Sequence, residues 1–561
     1  MRNFSNLFRI IQRTWPSMRR WKSDKKAKNT FKCPKKPATV YDCSPNMIER
    51  GINAVDPINV DLSFPEPRVV IIGAGMAGLS TAARLFDRGI ENIVILEAYQ
   101  RPGGRIHSCW LGDVVAELGS HSKEDNCATH PVYKLAASED PPRPGVPAAV
   151  HSRGLFTRAV SGNMPFTPTI TAYYKFRQIE EEADAIYCLG GSKQHGSLIN
   201  FMSLRIQQEL HQFPEEHQHD AARIMFGMCH MLSARCGSDT SMLCADHFGC
   251  FMNMAGGEVR VPLGLIGILA PILRKIPEGA IRYCKPVNCV YWGTCPKSLH
   301  RAVVVTDDGE EFPADYVVVT ISLGVLAQNA IKMFCPALPA AKMDAMRCLG
   351  FGHCNKIYLE YDRPFWYWQQ SDLNFKFTGS ELYSRCDWTR GIKSLGIVSN
   401  SKHVMCCWVT GQEAIFVEGI CDKDVAEGVT DLLRCLTGTC VPYPVAILRS
   451  YWSSDPYFCG AYSFDNGCSD GSAQRALACP LPGPNEPIPP ILLFAGEATV
   501  PGHFATVSGA RISGVREAER IVQLTVHYQG PPVPIDMVKQ LENKEKEKQK
   551  KDNSKEDDNG D

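Results

Sequence analysis

The stretch that most constrains this chain is Val69-Val-Ile-Ile72 followed by glycines at 73, 75 and 78. Four consecutive apolar, β-branched residues read as a strand buried on both faces, as in a parallel sheet, rather than as an alternating surface strand. The glycines stand at the spacing of a dinucleotide-binding turn. Each meets a separate steric demand: Gly73 permits the tight turn, Gly75 lets the backbone approach a pyrophosphate, and Gly78 lets the next helix pack closely on the strand. A helix over about 76–88 then aims its N-terminal amides at the phosphate position. Ile93-Val-Ile-Leu96 reads as a second buried strand ending in Glu97, about twenty residues past the last glycine, where a carboxylate accepts hydrogen bonds from ribose hydroxyls. Negative charge at that point disfavours a 2′-phosphate and argues against NADP. Glycine-rich turns also arise by chance, but strand, glycines, helix, second strand and Glu97 in register favour the dinucleotide reading.

Two further segments extend this picture. Arg101-Pro-Gly-Gly-Arg105 lies just downstream, and Leu493-Phe-Ala-Gly-Glu-Ala-Thr499 lies near the other end of the chain. Taken alone, the first could be a surface turn with solvated arginines. That turn is the favoured reading of the five residues by themselves, although Arg105 offers a fixed fork of donors suited to phosphate oxygens.

With these segments the chain resembles the flavin-dependent amine oxidases, nearest their polyamine and spermine oxidase branch, over about residues 68–526. The resemblance implies an α/β fold in which a Rossmann-like FAD-binding domain is interleaved with an α+β substrate-binding domain. Segments 66–160, 250–345 and 480–530 would form the discontinuous FAD-binding domain, and 161–249 with 346–479 the substrate-binding domain. It implies FAD as cofactor, with Gly104 and Arg105 against the pyrophosphate and the main chain of Val287 near the adenine. Gly496 and Glu497 would lie near the ribityl or pyrophosphate region. Thr506 and Val507 would contact the cofactor, leading into a helix over about 508–524 whose start leaves room for the isoalloxazine.

The catalytic assignments rest on the same resemblance. In Leu349-Gly-Phe-Gly-His-Cys-Asn-Lys-Ile-Tyr-Leu-Glu360, Ile357 and Leu359 alternate with Lys356, Tyr358 and Glu360, which places Lys356 on the strand face opposite the apolar one. Local sequence alone reads Lys356 as a solvated strand lysine. Family enzymes carry a lysine here that holds a water against the flavin, and the longer match through Ile321-Ser-Leu-Gly-Val-Leu326 favours that role. Tyr462 and Phe504 resemble the two walls of the family's aromatic cage, although paired aromatics are ordinarily packing. Monoamine oxidases carry a flavin-linking cysteine immediately before the tyrosine. Here that position is Ala461, so noncovalent attachment is expected.

One segment departs from the pattern. After Glu117-Leu-Gly-Ser120, polyamine and spermine oxidases typically carry a tryptophan and, two residues later, a histidine or, in plant-like members, a glutamate. This chain has Ser122 and Glu124 at those positions. Glu124 could bind a substrate ammonium, while Lys123 and Asp125 make a plain exposed loop an equal reading. The expected reaction is oxidation of spermine or an (acetyl)polyamine by oxygen to an aldehyde, a shorter amine and hydrogen peroxide. A polyamine carries several positive charges, so carboxylates should line its entrance. A monoamine or L-amino-acid oxidase, and a catalytically impaired FAD-binding scaffold, are the alternatives.

Composition sets the outer bounds. At 561 residues with 44% hydrophobic and 21% charged side chains, the chain can bury a large core. Its formal net charge of zero, with no basic stripe interleaved with aromatics in its body, argues against nucleic acid as a partner. The 24 cysteines lack the paired short spacings of a zinc site, which favours a reduced intracellular chain and no metal. Residues 1–65 form a basic extension. Within 1–21 no acidic residue occurs, and Phe4, Leu7, Phe8 and Ile11 recur at helical spacing opposite Arg2, Arg9 and Arg13. That pattern is transit-peptide-like, and a disordered basic extension is the alternative, so a mitochondrial or cytoplasmic location is expected. No stretch reaches the length of a membrane span. Residues 531–561 read as a disordered charged tail.

Between the ends, 173–247 reads as helical. Pro286-Val-Asn-Cys-Val-Tyr291, Ala302-Val-Val-Val-Thr306 and Tyr316-Val-Val-Val-Thr320 read as strands, with Asp308-Gly309 predicted to turn a hairpin between the last two.

Overall fold

The computed structural model describes residues 65–120 and most of 124–532, leaving out short internal stretches such as 126–131, 145–154, 252–257 and 377–386. The transit-peptide-like segment and nearly all of the charged tail lie outside the described residues.

Five parallel strands form the central sheet, in the order Ile281–Arg282, Ile93–Leu96, Val69–Ile72, Tyr316–Val319, Leu492–Phe494. Residues from both ends of the chain thus lie two strands apart, joined through Tyr316–Val319. The apolar run at 69–72 is buried on both faces, as its composition requires. Val69 and Ile71 pack with Leu79 and Ile521 of two helices, whereas Val70 and Ile72 pack with Val290, Val304 and Leu326 on the other side.

The two helices on the first face are Met76–Asp87 and Val507–Tyr528. They cross closely at Gly514, where an added Cβ would lie 2.2 Å from the Ala77 carbonyl oxygen. The Thr81 hydroxyl donates to the Gly514 carbonyl at 3.1 Å, and Glu519 accepts from Arg88 at 3.1 Å. The opposite face is covered by a mixed sheet in which Val287–Trp292, Ala302–Thr306 and Glu311–Ala314 pair antiparallel and Phe334–Cys335 runs parallel to the first.

The pairing within that sheet corrects the predicted hairpin. Ala302–Thr306 turns at Asp308-Gly309, with Gly309 at φ +83°, but pairs with Glu311–Ala314. Tyr316–Val319 leaves to join the parallel sheet beside Val69–Ile72. Glu311–Ala314 escapes sequence reading because Pro313 interrupts it, and its place at the sheet edge is where a strand proline is tolerated.

A second antiparallel sheet has the order Ile392–Ile397, Val404–Thr410, Cys354–Glu360, Ala446–Arg449. Helix Asp422–Thr437 packs Val425, Val429, Leu432 and Leu436 against Ile357 and Leu359 on one face of that sheet. The predicted helical region resolves into Phe166–Cys188, Leu198–Leu210 and Glu215–Met231, followed by shorter turns. Strand Tyr462–Asp465 pairs with Leu349–Gly352 and runs between this helical cluster and the central sheet.

Candidate active site

A cavity of about 850 Å³ opens at the carboxyl ends of the parallel strands. Gly73, Glu97, Thr320 and Gly496, each just beyond a strand of the central sheet, all line it. In open α/β sheets this is the crevice where ligands bind.

The glycine turn is built as its spacing requires. Gly73 has φ +106°, and an added Cβ would meet the Thr320 hydroxyl at 2.9 Å. At Gly75 an added Cβ would meet nothing within 4 Å, so this bare stretch of backbone faces the cavity. Gly78 sits inside the helix, where a Cβ would lie 2.0 Å from the Gly73 carbonyl oxygen and 3.2 Å from Ile71 Cγ2. Glu97 is 7% exposed and accepts from the Ala74 amide at 2.7 Å and the Tyr99 amide at 2.9 Å. Burial pushes its carboxyl above the usual range, against those hydrogen bonds and the nearby Arg101. A carboxylate fixed on two amides retains lone pairs for a ligand's hydroxyls.

Residues 101–105 dock on the same turn. The Gly103 amide donates to the Ala74 carbonyl at 2.8 Å, and Arg101 folds back to donate to the Gly104 carbonyl at 3.0 Å. Arg105 Nη1 donates to the Ala461 carbonyl at 2.8 Å and to Glu497 Oε1 at 2.9 Å. Glu497 Oε2 accepts from the Ser463 hydroxyl and, at 2.8 Å, from the Ala505 amide. One buried carboxylate therefore ties Arg105 to the strand at 462–465 and to the chain entering the last helix.

That helix is capped by Thr506, whose hydroxyl accepts from the Gly509 amide at 2.8 Å. Thr506, Val507 and Ala510 line the cavity, and the positive end of the helix dipole favours negative charge there. Gly496, at φ +134° with nothing within 4 Å of an added Cβ, leaves another open stretch of backbone. Val287 lines the cavity at the start of its strand. Two helix N-termini, bare glycine backbone, Arg105 and the Glu97 carboxylate make a donor and acceptor set that fits a dinucleotide.

Lys356 is buried rather than solvated, at 4% exposure. Its strand has no solvent face: Ile357 and Leu359 enter one core while Cys354 and Tyr358 enter another. Lys356 Nζ donates to the carbonyls of Glu117 at 2.9 Å and Gly119 at 2.6 Å, and lies 4.8 Å from the Trp408 ring centre. The Tyr358 hydroxyl donates to the same Glu117 oxygen, and Trp452 Nε1 to the Leu118 carbonyl at 3.0 Å. Three side chains thus grip three successive carbonyls. Burial pushes the Lys356 ammonium below the usual lysine range. Two of its three donors are engaged, which leaves one for the cavity it lines.

Tyr462 and Phe504 also line the cavity. The Tyr462 hydroxyl donates to the Ala234 carbonyl, and Phe504 meets Phe251 edge to face at 5.6 Å. Of the anticipated residues, Gly78 supports the turn from within the helix rather than lining the cavity. His121, Ser122 and Lys123 lie outside the described residues, and Glu124 is described by its backbone pairing with Val259. Asp184, His247, Phe251, Trp408 and Asp465 line the cavity without having been singled out in the sequence, where no local motif marks them.

This fold and crevice define a dinucleotide-binding α/β protein. The chain belongs to the family described as flavin containing amine oxidoreductase, whose sequence profile matches residues 76–522. It is similar to the peroxisomal N(1)-acetyl-spermine/spermidine oxidase of Homo sapiens, with 30% identity covering 83% of this chain and 97% of that one. It is also similar to polyamine oxidase 1 of Oryza sativa subsp. japonica, with 29% identity covering 83% and 98%. Among solved structures, a putrescine oxidase triple mutant from a redesign of cofactor binding matches with a TM-score of 0.57 at 16% identity, covering 82% of this chain and 99% of that one. The fold is accordingly that of the amine oxidases, and the protein is an FAD-using oxidoreductase. No described helix is long and apolar enough to cross a membrane. The relatives lend no support to mitochondrial import, since the human one carries the name peroxisomal.

Proposed function

We propose that this protein is a polyamine oxidase that converts spermine or a related (acetyl)polyamine, with oxygen as acceptor, into an aldehyde, a shorter amine and hydrogen peroxide. The observation that carries this reading is the continuity of one cavity from the glycine turn, past Lys356, to the aromatic side chains Tyr462 and Phe504. Relatives named as polyamine oxidases across nearly their whole length support it.

Gly73, Gly75, Glu97, Gly104, Arg105, Val287, Gly496, Glu497, Thr506 and Val507 would hold FAD, with Gly78 seating the helix that faces its phosphates. Bound FAD supplies the acceptor for the two electrons and the hydrogen that leave the substrate. The protein's own part is positional and electrostatic. Tyr462 and Phe504 confine the amine, and a cavity shielded from water favours its neutral form, which is the form that can give up hydride. The remaining Lys356 donor holds a water or a developing negative charge at the cavity wall. Ala461, in place of a linking cysteine, leaves attachment noncovalent. The discontinuous domain division is proposed on the same footing, with all five parallel strands falling within 66–160, 250–345 and 480–530.

The departing segment Ser122 to Glu124 motivates the second reading, an FAD-bound protein without turnover. Flavin absorbance recorded anaerobically with spermine, spermidine, their acetylated forms and aromatic amines separates the two. Bleaching by polyamines supports the oxidase, and a yellow protein that no amine reduces supports the scaffold.

A further inference from the structure

Residues 452–460 form a loop closed at its base, where the Gly460 amide donates to the Trp452 carbonyl at 2.8 Å. At its tip the Asp455 carbonyl accepts the amides of Phe458 at 3.1 Å and Cys459 at 2.9 Å, and Asp455 Oδ1 accepts the Tyr457 amide at 2.9 Å. The other carboxylate oxygen, Oδ2, accepts the Tyr99 hydroxyl. Tyr99 belongs to the dinucleotide-binding unit: its amide donates to Glu97 Oε1 at 2.9 Å, and its carbonyl accepts the Cys284 amide at 3.2 Å. Glu97 and Asp455 are thus joined through a single residue.

Ring contacts repeat that link. Tyr99 stacks on Phe458 with centroids 6.0 Å apart and meets Tyr457 edge to face at 5.2 Å. The Ser322 hydroxyl, at the start of helix Leu323–Met333, donates to the Phe458 carbonyl at 2.7 Å and ties the loop down a second time. Burial and the Asp455 carboxylate push the Tyr99 hydroxyl well above the usual phenol range, so it remains a donor. Pro456, Tyr457 and Phe458 line the cavity together with Glu97, Tyr99 and Val287. The loop tip therefore walls the arm that carries Glu97 and Val287.

Resting on the placement of FAD given above, we propose that Tyr99 and Asp455 are positioning residues that hold the loop tip against the adenylate half of FAD and so set a preference for FAD over FMN, which lacks that half. The link joins the two proposed domains, with Tyr99 in segment 66–160 and Asp455 in segment 346–479. A wall held in place before the cofactor arrives spares the cost of ordering it on binding.

The test uses the full chain reconstituted with FAD or with FMN, the bound fraction being read from flavin fluorescence. Tyr99→Phe removes only the hydroxyl and keeps the ring against Phe458 and Tyr457. The ratio of Kd for FMN over Kd for FAD should fall about 10- to 100-fold, the range of a hydrogen bond to a charged group, with the loss lying in FAD affinity. Asp455→Asn should lower the same ratio, and the double variant should fall little further, because each change breaks the same bond. An unchanged ratio in Tyr99→Phe overturns the proposal, and so does a loss shared equally by FMN, since a purely structural link would act on both flavins alike. Where FMN binds too weakly to measure, FAD release decides: release at least tenfold faster than from wild type supports the link, and an equal rate overturns it. A wild-type protein that holds FMN as tightly as FAD would instead overturn the placement of FAD along Glu97 and Val287, and the proposal with it.

Discussion

Lys356 Nζ donates to the Glu117 carbonyl at 2.9 Å, and that oxygen also accepts the Tyr358 hydroxyl. A lysine on the second antiparallel sheet thereby fixes the segment that follows the dinucleotide-binding unit while itself lining the cavity. In Lys356→Met the flavin should stay bound, because no cofactor-holding residue is touched. Flavin reduction or reoxidation should slow by about 100-fold or more. Stopped-flow traces indistinguishable from wild type would remove the assigned role.

The same lysine should leave a signature in stability. Burial holds its ammonium below the usual 10.5. Between that lowered value and 10.5 the unfolded chain carries a proton the folded chain has released, so the Lys356 contribution to stability rises with pH. The difference in urea midpoint between wild type and Lys356→Met should therefore move in favour of wild type as pH climbs toward 10.5. A difference that stays flat would mean that the buried lysine titrates normally.

Glu497 joins Arg105, Ser463 and the Ala505 amide. Glu497→Gln removes the charge facing Arg105 and should weaken FAD binding about 10- to 100-fold, with the fold retained. Flavin release followed by fluorescence measures it, and unaltered affinity would count against this carboxylate as an organiser of the site.

Two glycines should respond in opposite ways. Gly514→Ala places a methyl 2.2 Å from the Ala77 carbonyl oxygen, and should cost about 1–3 kcal/mol of fold stability in denaturant. Gly75→Ala meets no atom within 4 Å and should leave apoprotein unfolding nearly unchanged while reducing FAD affinity. Unaltered FAD affinity in Gly75→Ala would show that the open space at Gly75 is not ligand space.

These contrasts mark how far the chain could be read from its letters. The glycine turn and Glu97 were legible because their chemistry repeats at short, fixed spacings, and the steric reason for each glycine is local. The bond between Arg105 and Glu497 joins residues 392 apart in sequence, and periodicity cannot report it; the family resemblance brought the two residues together. Tyr316–Val319 is as apolar as a hairpin partner would be, so only the three-dimensional pairing shows that it leaves for the parallel sheet. Lys356 reads as solvated when one face of its strand is assumed to be wet, whereas a second core covers that face. Asp465 carries no motif at all, and only the fold brings it to the cavity wall.

The central claim is that one cavity holds FAD and brings a polyamine amine to it. Anaerobic titration of the purified yellow protein with spermine, followed by admission of oxygen, tests this most directly. The flavin absorbance should bleach, return with oxygen, and be accompanied by stoichiometric hydrogen peroxide. Flavin that stays oxidised in saturating spermine and in every other polyamine tested would contradict it.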